Sequence, residues 1–149
     1  MRILGSNLEL FSSKFSRCVD VEELCVRAGE KCWTLRVETT ALNNEGNLTD
    51  TLCLAAMGSL LHFRRPEVTV EGSEVTVHDP DEKEPVKLTL HHKPFTVTMG
   101  YMQNDKEAEK VIILDPSRPE EEVLSGFISI AINKHREVTF FAKNVFYNI

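Results

Sequence analysis

The chain has 149 residues, 42% hydrophobic and 27% charged, with a formal net charge of −6. That length suits one domain with a real core, and the composition excludes wholesale disorder. Charge is uneven, with eight basic and eight acidic residues through Arg65 and nine against fifteen from Pro66 onward, so the total gives no support for nucleic-acid binding but leaves room for a local basic surface early in the chain.

No apolar run reaches the roughly 18 residues of a membrane span. Gly5, Ser6, Asn7 and Glu9 interrupt the N-terminal stretch, so it lacks a signal-peptide core. An intracellular protein is expected. Cys18, Cys25 and Cys32 recur every seven residues and Cys53 follows. That spacing is neither a zinc ribbon nor a redox pair, and it predicts reduced, mostly buried thiols.

In chain order, "LELFSSKFSRCV" places apolar residues at 8, 11, 15 and 19, a helical spacing. Asp20 then suits the N-cap of a short helical turn. "KCWTLRVETTAL" (31–42) predicts a strand, with Trp33, Leu35 and Val37 on its buried face. A turn at Gly46 leads into a helix over about 49–63. Its apolar residues lie nearly all round, which predicts burial on every side. "RRP" at 64–66 ends it. The segments 67–72 and 73–79 alternate as a hairpin about Gly72 and Ser73. "DPDEKEP" is a charged loop. "VKLTLHH", "PFTVTMGYM" and "VIILDPS" read as strands, with a polar turn at 104–110 before the last. "RPEEEVLSG" reads as one helical turn with Pro119 at its start. "FISIAIN" and "EVTFFAKNVF" are two more strands. Helix, strand, helix and then many strands is an α+β order.

The segments "LCVRAGEKCWTLRVETTALNNEGNLTDTLCLAAMGSLLHFRRPEVTVEGSEVTVH", "LHHKPFTVTMGYM", "ILDPSRPEEEV" and "AINKHREV" together resemble the ribonuclease-PH family, and within it a ring subunit of the eukaryotic RNA exosome. The resemblance covers about residues 18–138. It implies a partial ribonuclease-PH-like fold of the ribosomal protein S5 domain 2-like type, with a mixed β-sheet and one buried helix at about 49–63. The family domain is larger, so residues 1–149 are expected to form a single incomplete domain lacking its first strands and its C-terminal helix. Unpaired strand edges then predict poor solubility of the chain alone.

Active members of the family carry Asp-Gly-Gly-Thr-Arg, or something close, at the strand–helix turn. There phosphate is bound and attacks the 3′-terminal linkage of RNA, releasing a nucleoside diphosphate. Two anions must meet, so cations are required. The matching positions here are Glu45, Gly46 and Asn47, followed by Leu48, Thr49 and Asp50. One glycine remains, and the arginine is absent. Each acid near a bound phosphate costs on the order of 1–4 kcal/mol at a surface. The nearest cations along the sequence are Arg36 and Arg64, at a strand interior and a helix end. A structural turn is expected instead, with Asn47 or Thr49 capping the helix. Active members also use a pair of aspartates after the "LD" strand; Asp115 matches one, and the second has no counterpart. The expectation is therefore a non-catalytic subunit, with no metal and no cofactor. It scaffolds 3′-to-5′ RNA processing and lines an RNA channel, with other ring subunits, cap subunits and RNA as partners and no membrane. Alternatives are a truncated isoform with impaired assembly, and an active phosphorolytic exoribonuclease. Lys14, Arg17, Arg64 and Arg65 are the candidates for RNA contact; Arg64 and Arg65 are equally placed to bond the last helix carbonyls or to face a neighbouring subunit. The resemblance implies nucleus, including nucleolus, and cytoplasm as locations.

Overall fold

The computed structural model describes residues 18–103 and 110–145. The helix expected over 8–19 lies outside these residues but for its last two positions, and Lys14 and Arg17 lie outside them. The chain divides into two compact units. One holds Met1–Glu38 and Ala56–His92, the other Thr39–Ala55 and Lys93–Ile149.

The first unit is built from short ladders. Asp20 caps a short turn that does not lengthen into a helix: its Oδ1 accepts the Glu22 N–H at 2.9 Å, and the N–H groups of Leu24 and Cys25 reach back to the carbonyls of Val21 and Glu22. The chain turns there and enters β1 (Cys25–Arg27), which pairs antiparallel with β2 (Lys31–Cys32). The strand expected over 31–42 ends at Cys32. Beyond it the alternation survives without a ladder: Trp33, Leu35 and Val37 are half-buried, and Thr34, Arg36 and Glu38 are exposed. Periodicity reports which side is covered; a strand also needs a neighbour to accept its amides. β3 (Arg64–Arg65) pairs with β6 (Val86–Lys87), and Leu90 forms a separate antiparallel bridge with Val19, so "VKLTLHH" pairs in two short pieces and not as one strand. β4 (Val68–Glu71) and β5 (Glu74–Val77) form the expected hairpin. Gly72, at φ +59°, supplies the positive φ that a two-residue hairpin turn requires at its first central position.

α1 (Leu48–His62) confirms the expected helix to within a residue at each end. Its burial is one-sided. Cys53, Ala56, Met57 and Leu60 are buried, spaced by three or four, while Leu54 is 60% exposed and Leu61 45%. The all-round apolar composition thus overstates how much of the helix is covered. The thiols also divide: Cys18 and Cys53 are buried, but Cys25 and Cys32 are exposed.

The second unit is organised by one antiparallel sheet of four strands. β7 (Phe95–Gln103) lies between β8 (Lys110–Leu114) and β9 (Gly126–Ile132), and β10 (Val138–Val145) pairs with β9. Between β8 and β9 sits the single turn α2 (Arg118–Glu121), at the place expected from Pro119. Register Thr96↔Ala131, Thr98↔Ser129 and Gly100↔Phe127 puts Thr96, Thr98, Gly100, Ser129 and Ala131 together on one face, with Phe127, Ile113 and Phe140 around them. Thr96, Thr98, Gly100, Ser129 and Ala131 are all buried. The start of α1 reaches the two threonines, Thr96 Oγ1 donating to Cys53 Sγ at 3.1 Å, and the Leu124 side chain lies against Gly100. The other face carries Phe95, Val97, Met99, Ile112, Leu114, Ile130 and Phe141, and none of them is buried.

Candidate functional site

The turn before α1 is assembled from residues far apart in sequence. Asn43 Oδ1 accepts the Asn44 N–H at 2.8 Å, and Asn44 Oδ1 accepts the Gly46 N–H at 3.1 Å. These two local bonds fold the chain back on itself, as Asn does in turns. Gly46, at φ +112°, then lies against the segment that follows β8. A Cβ there would stand 2.4 Å from the Pro116 carbonyl oxygen and 2.7 Å from the Arg118 nitrogen. The contact is closed by the Arg118 N–H donating to the Glu45 carbonyl at 2.8 Å. Only glycine fits both the backbone angle and the space.

Asn47 follows in the left-handed region at φ +46° and is 7% exposed. It occupies the position before α1, yet its side chain does not act as the expected cap acceptor. Its Nδ2 donates to Asp50 Oδ2 at 2.9 Å and to Asp115 Oδ1 at 2.6 Å. Two carboxylates can only accept, so they orient the amide with nitrogen toward them and leave Oδ1 buried without a partner. The Asn47 backbone N–H donates to Glu121 Oε1 at 2.9 Å. Asp50 in turn accepts from the Thr98 N–H at 2.7 Å and Thr98 Oγ1 at 2.8 Å, and Thr98 Oγ1 meets Ser129 Oγ at 2.9 Å. Asp115 is itself left-handed, at φ +53°. α2 is pinned by Ser117, whose N–H and Oγ both donate to Glu120 Oε2, at 2.7 and 2.6 Å. Those two bonds hold the Glu120 carboxyl below the usual range.

The fold thus joins Glu45–Asn47 to Asp115 and Glu121 in one hydrogen-bonded cluster. Positive partners do not come with them. Among the described residues no lysine or arginine pairs with Asp50, Asp115 or Glu121. Nor is any group of three or more His, Cys, Asp or Glu among those residues arranged to hold a metal ion. Arg36 pairs with Glu38. Arg64 Nη1 donates to the carbonyls of Leu61, His62 and Phe63, each at 2.9 Å, so it satisfies the end of α1. Arg65 is half-buried in β3, with its Nε lacking a partner. The cation whose backbone the fold does bring to the turn is Arg118, which nothing in the sequence singles out. Thr98, Ser129 and Glu121 are equally unmarked there. A threonine in a strand and an acid in a helical turn carry no local sign of a contact some 50 or 70 residues away.

Chemically the cluster is an acceptor-rich pocket whose donors are already used. Glu121 places a carboxylate oxygen on a backbone N–H at the positive end of α1, where an anion would otherwise be attracted. Asp50 and Asp115 surround the adjacent amide. The arrangement orders a turn. Among the described residues it offers a phosphate no cationic partner.

An α+β fold of this kind, dominated by antiparallel strands, fits the ribonuclease-PH class, and comparison with known proteins agrees. No family model matches the chain. The chain is 46% identical over 123 residues to exosome complex component RRP45 of Homo sapiens, covering 83% of this chain and 27% of that protein. It is 35% identical over 150 residues to RRP45 of Saccharomyces cerevisiae, covering 95% of this chain and 49% of that one. An Archaeoglobus fulgidus exosome structure with RNA bound to the active site superimposes with TM-score 0.70 at 23% identity, over 96% of this chain and 51% of that chain. An archaeal exosome core gives 0.70 at 25% identity, over 96% and 52%. The fold is therefore ribonuclease-PH-like, and the chain is a relative of the RRP45-type exosome components, in line with the polymyositis/scleroderma autoantigen type of ring subunit that its segments resemble. The chain spans between about a quarter and a half of the length of these curated relatives.

Proposed function

We propose that this chain acts as a non-catalytic ring subunit of the RNA exosome, supporting 3′-to-5′ RNA processing and degradation through its interfaces with other ring subunits and with cap subunits. The observation that carries this reading is the Glu121 carboxylate on the Asn47 N–H, with Asp50 and Asp115 on the neighbouring side-chain amide. Phosphorolysis needs an inorganic phosphate beside the phosphodiester it attacks, and three carboxylates at that place oppose its entry. The uncovered apolar face of the sheet is a second support, since contiguous exposed apolar surface belongs to proteins that assemble. The residues proposed for RNA contact in the channel are Lys14, Arg17 and Arg65, with Arg64 engaged mainly at its helix end. Nucleus, nucleolus and cytoplasm are proposed as locations on the same family ground.

The test is phosphate exchange. The chain, assembled with ring partners, is incubated with poly(A) and radiolabelled phosphate. No label enters nucleoside diphosphate if the reading is right; label that disappears in an Arg118→Ala variant overturns it and names the missing cation. Channel contact is tested separately by filter binding. Alanine at Lys14, Arg17, Arg64 and Arg65 lowers affinity and flattens its salt dependence by about one unit of slope for each RNA phosphate left unneutralised. Unchanged affinity and slope remove the RNA assignment.

A further inference from the structure

The regular spacing of the early cysteines suggests nothing about pairing, but the β1–β2 hairpin sets two of them face to face. Cys25 is the ladder partner of Cys32. The Trp33 N–H donates to the Leu24 carbonyl at 2.7 Å, while the Cys25 N–H turns away to the Glu22 carbonyl at 3.0 Å. The Leu24 N–H bonds the Val21 carbonyl instead of Trp33, so a single cross-strand bond flanks Cys25 and Cys32, which face each other as a non-hydrogen-bonded pair beside the register shift between Cys25 and Arg27. Cα atoms in such a pair are about 4.5 Å apart, with both side chains on one face. Disulfides span Cα separations of about 4.4–6.8 Å. Both thiols are free and both residues exposed; Leu24 and Trp33, on the opposite face, are half-buried.

We propose that Cys25 and Cys32 are a thiol-oxidation site that closes reversibly into a cross-strand disulfide, with a low-molecular-weight disulfide such as oxidised glutathione as the oxidant. One cysteine thiolate attacks a sulfur of glutathione disulfide, forming a mixed disulfide and expelling one glutathione thiolate. The second cysteine thiolate attacks the protein-side sulfur of that mixed disulfide and expels the other. The protein loses two protons and two electrons, which depart as two molecules of reduced glutathione, and excess reduced glutathione drives the same steps backward. Reversibility follows from geometry. Directly opposed strand residues hold their Cβ atoms about 4.5–5.5 Å apart, and a disulfide draws them to about 3.5–4.5 Å, so the ladder must tighten. Exposed bridges under such tension are the readily reduced ones. Cys18 differs, because burial pushes its thiol up to about 11 and keeps it protonated.

The full chain is equilibrated in glutathione buffers of graded ratio, quenched with acid, alkylated, digested and mapped by mass spectrometry. The expected product is an internal Cys25–Cys32 link with the mass loss of two hydrogens, fully reversed at high reduced glutathione. Cys25→Ser leaves Cys32 carrying a glutathione adduct, and Cys32→Ser does the converse. Circular dichroism of each variant checks that the exposed serine leaves the fold intact. Separate adducts on both cysteines of the unsubstituted chain, alkylation of both at every ratio, or a bridge from either one to Cys18, Cys53 or a second chain overturns the proposal.

Discussion

The two faces of the β10-β9-β7-β8 sheet invert the usual relation between polarity and burial. The face that is buried carries Thr96, Thr98, Gly100, Ser129 and Ala131 at its centre, with Phe127, Ile113 and Phe140 half-buried around them. The face that is not carries Ile112 at 67% exposure, Leu114 at 64% and Phe141 at 59%. The first is held by specific bonds: Thr98 and Ser129 meet, Asp50 takes both donors of Thr98, and Thr96 reaches Cys53. Small side chains let the start of α1 come close enough for those bonds to form. The second face has hydrophobicity without a cover among the described residues. One face is therefore specified by hydrogen bonds that tolerate little change, and the other by bulk that tolerates much.

That contrast can be broken hardest at Gly46. Gly46→Ala places a Cβ against the 116–118 backbone at a positive φ, and about 3 kcal/mol of stability is expected to go, read as the loss of most of the urea midpoint. A smaller loss, about 2–3 kcal/mol, is expected for Asp50→Ala, which strands the Thr98 N–H and removes one acceptor from Asn47. Asp50→Asn recovers part of it, because an amide oxygen still accepts from Thr98. On the other face, Ile112→Thr with Phe141→Thr is expected to change stability by no more than about 0.5 kcal/mol while raising the monodisperse fraction in size-exclusion chromatography. A loss as large as that of Asp50→Ala would mean that this face is covered after all.

The smallest effect is a pH dependence at α2. Folding lowers the Glu120 pKa through the two Ser117 bonds. A carboxylate easier to ionise in the folded than in the unfolded chain adds stability above the ordinary glutamate range and loses it as pH falls through the lower folded value. The side chain is solvent-accessible, so the contribution is slight. Titration of Glu120 by NMR in the Ser117→Ala variant is expected to show its pKa returned upward; an unmoved value would assign the shift elsewhere.

The long strands, the hairpin at Gly72, the single turn at Pro119 and the extent of α1 were legible in sequence because each rests on local signals: periodicity, a positive-φ glycine, a proline at a helix start. The segment 33–42 was not, because its alternation is real but its partner strand is not written within it. The solvent exposure of Cys25 and Cys32 was hidden for the same reason, since a residue's side of a hairpin depends on register and on what packs behind. Of the candidate site, the absence of a basic residue within Glu45–Asn47 could be read directly. That Glu121 supplies the replacing carboxylate, and that Asn47 turns its nitrogen rather than its oxygen inward, needed the fold.

The bonds at the start of α1 span long stretches of sequence, 68 positions from Asn47 to Asp115 and 74 to Glu121. A ribosome extends the chain from its N-terminus, so the Asn43–Asp50 bend emerges well before any of the groups that complete it. Until residue 121 clears the exit tunnel, the Asn47 backbone N–H has no carboxylate of Glu121 to bond and faces water. The order of synthesis thus sets a wait on this corner of the molecule, and it locks late, when its distant half arrives.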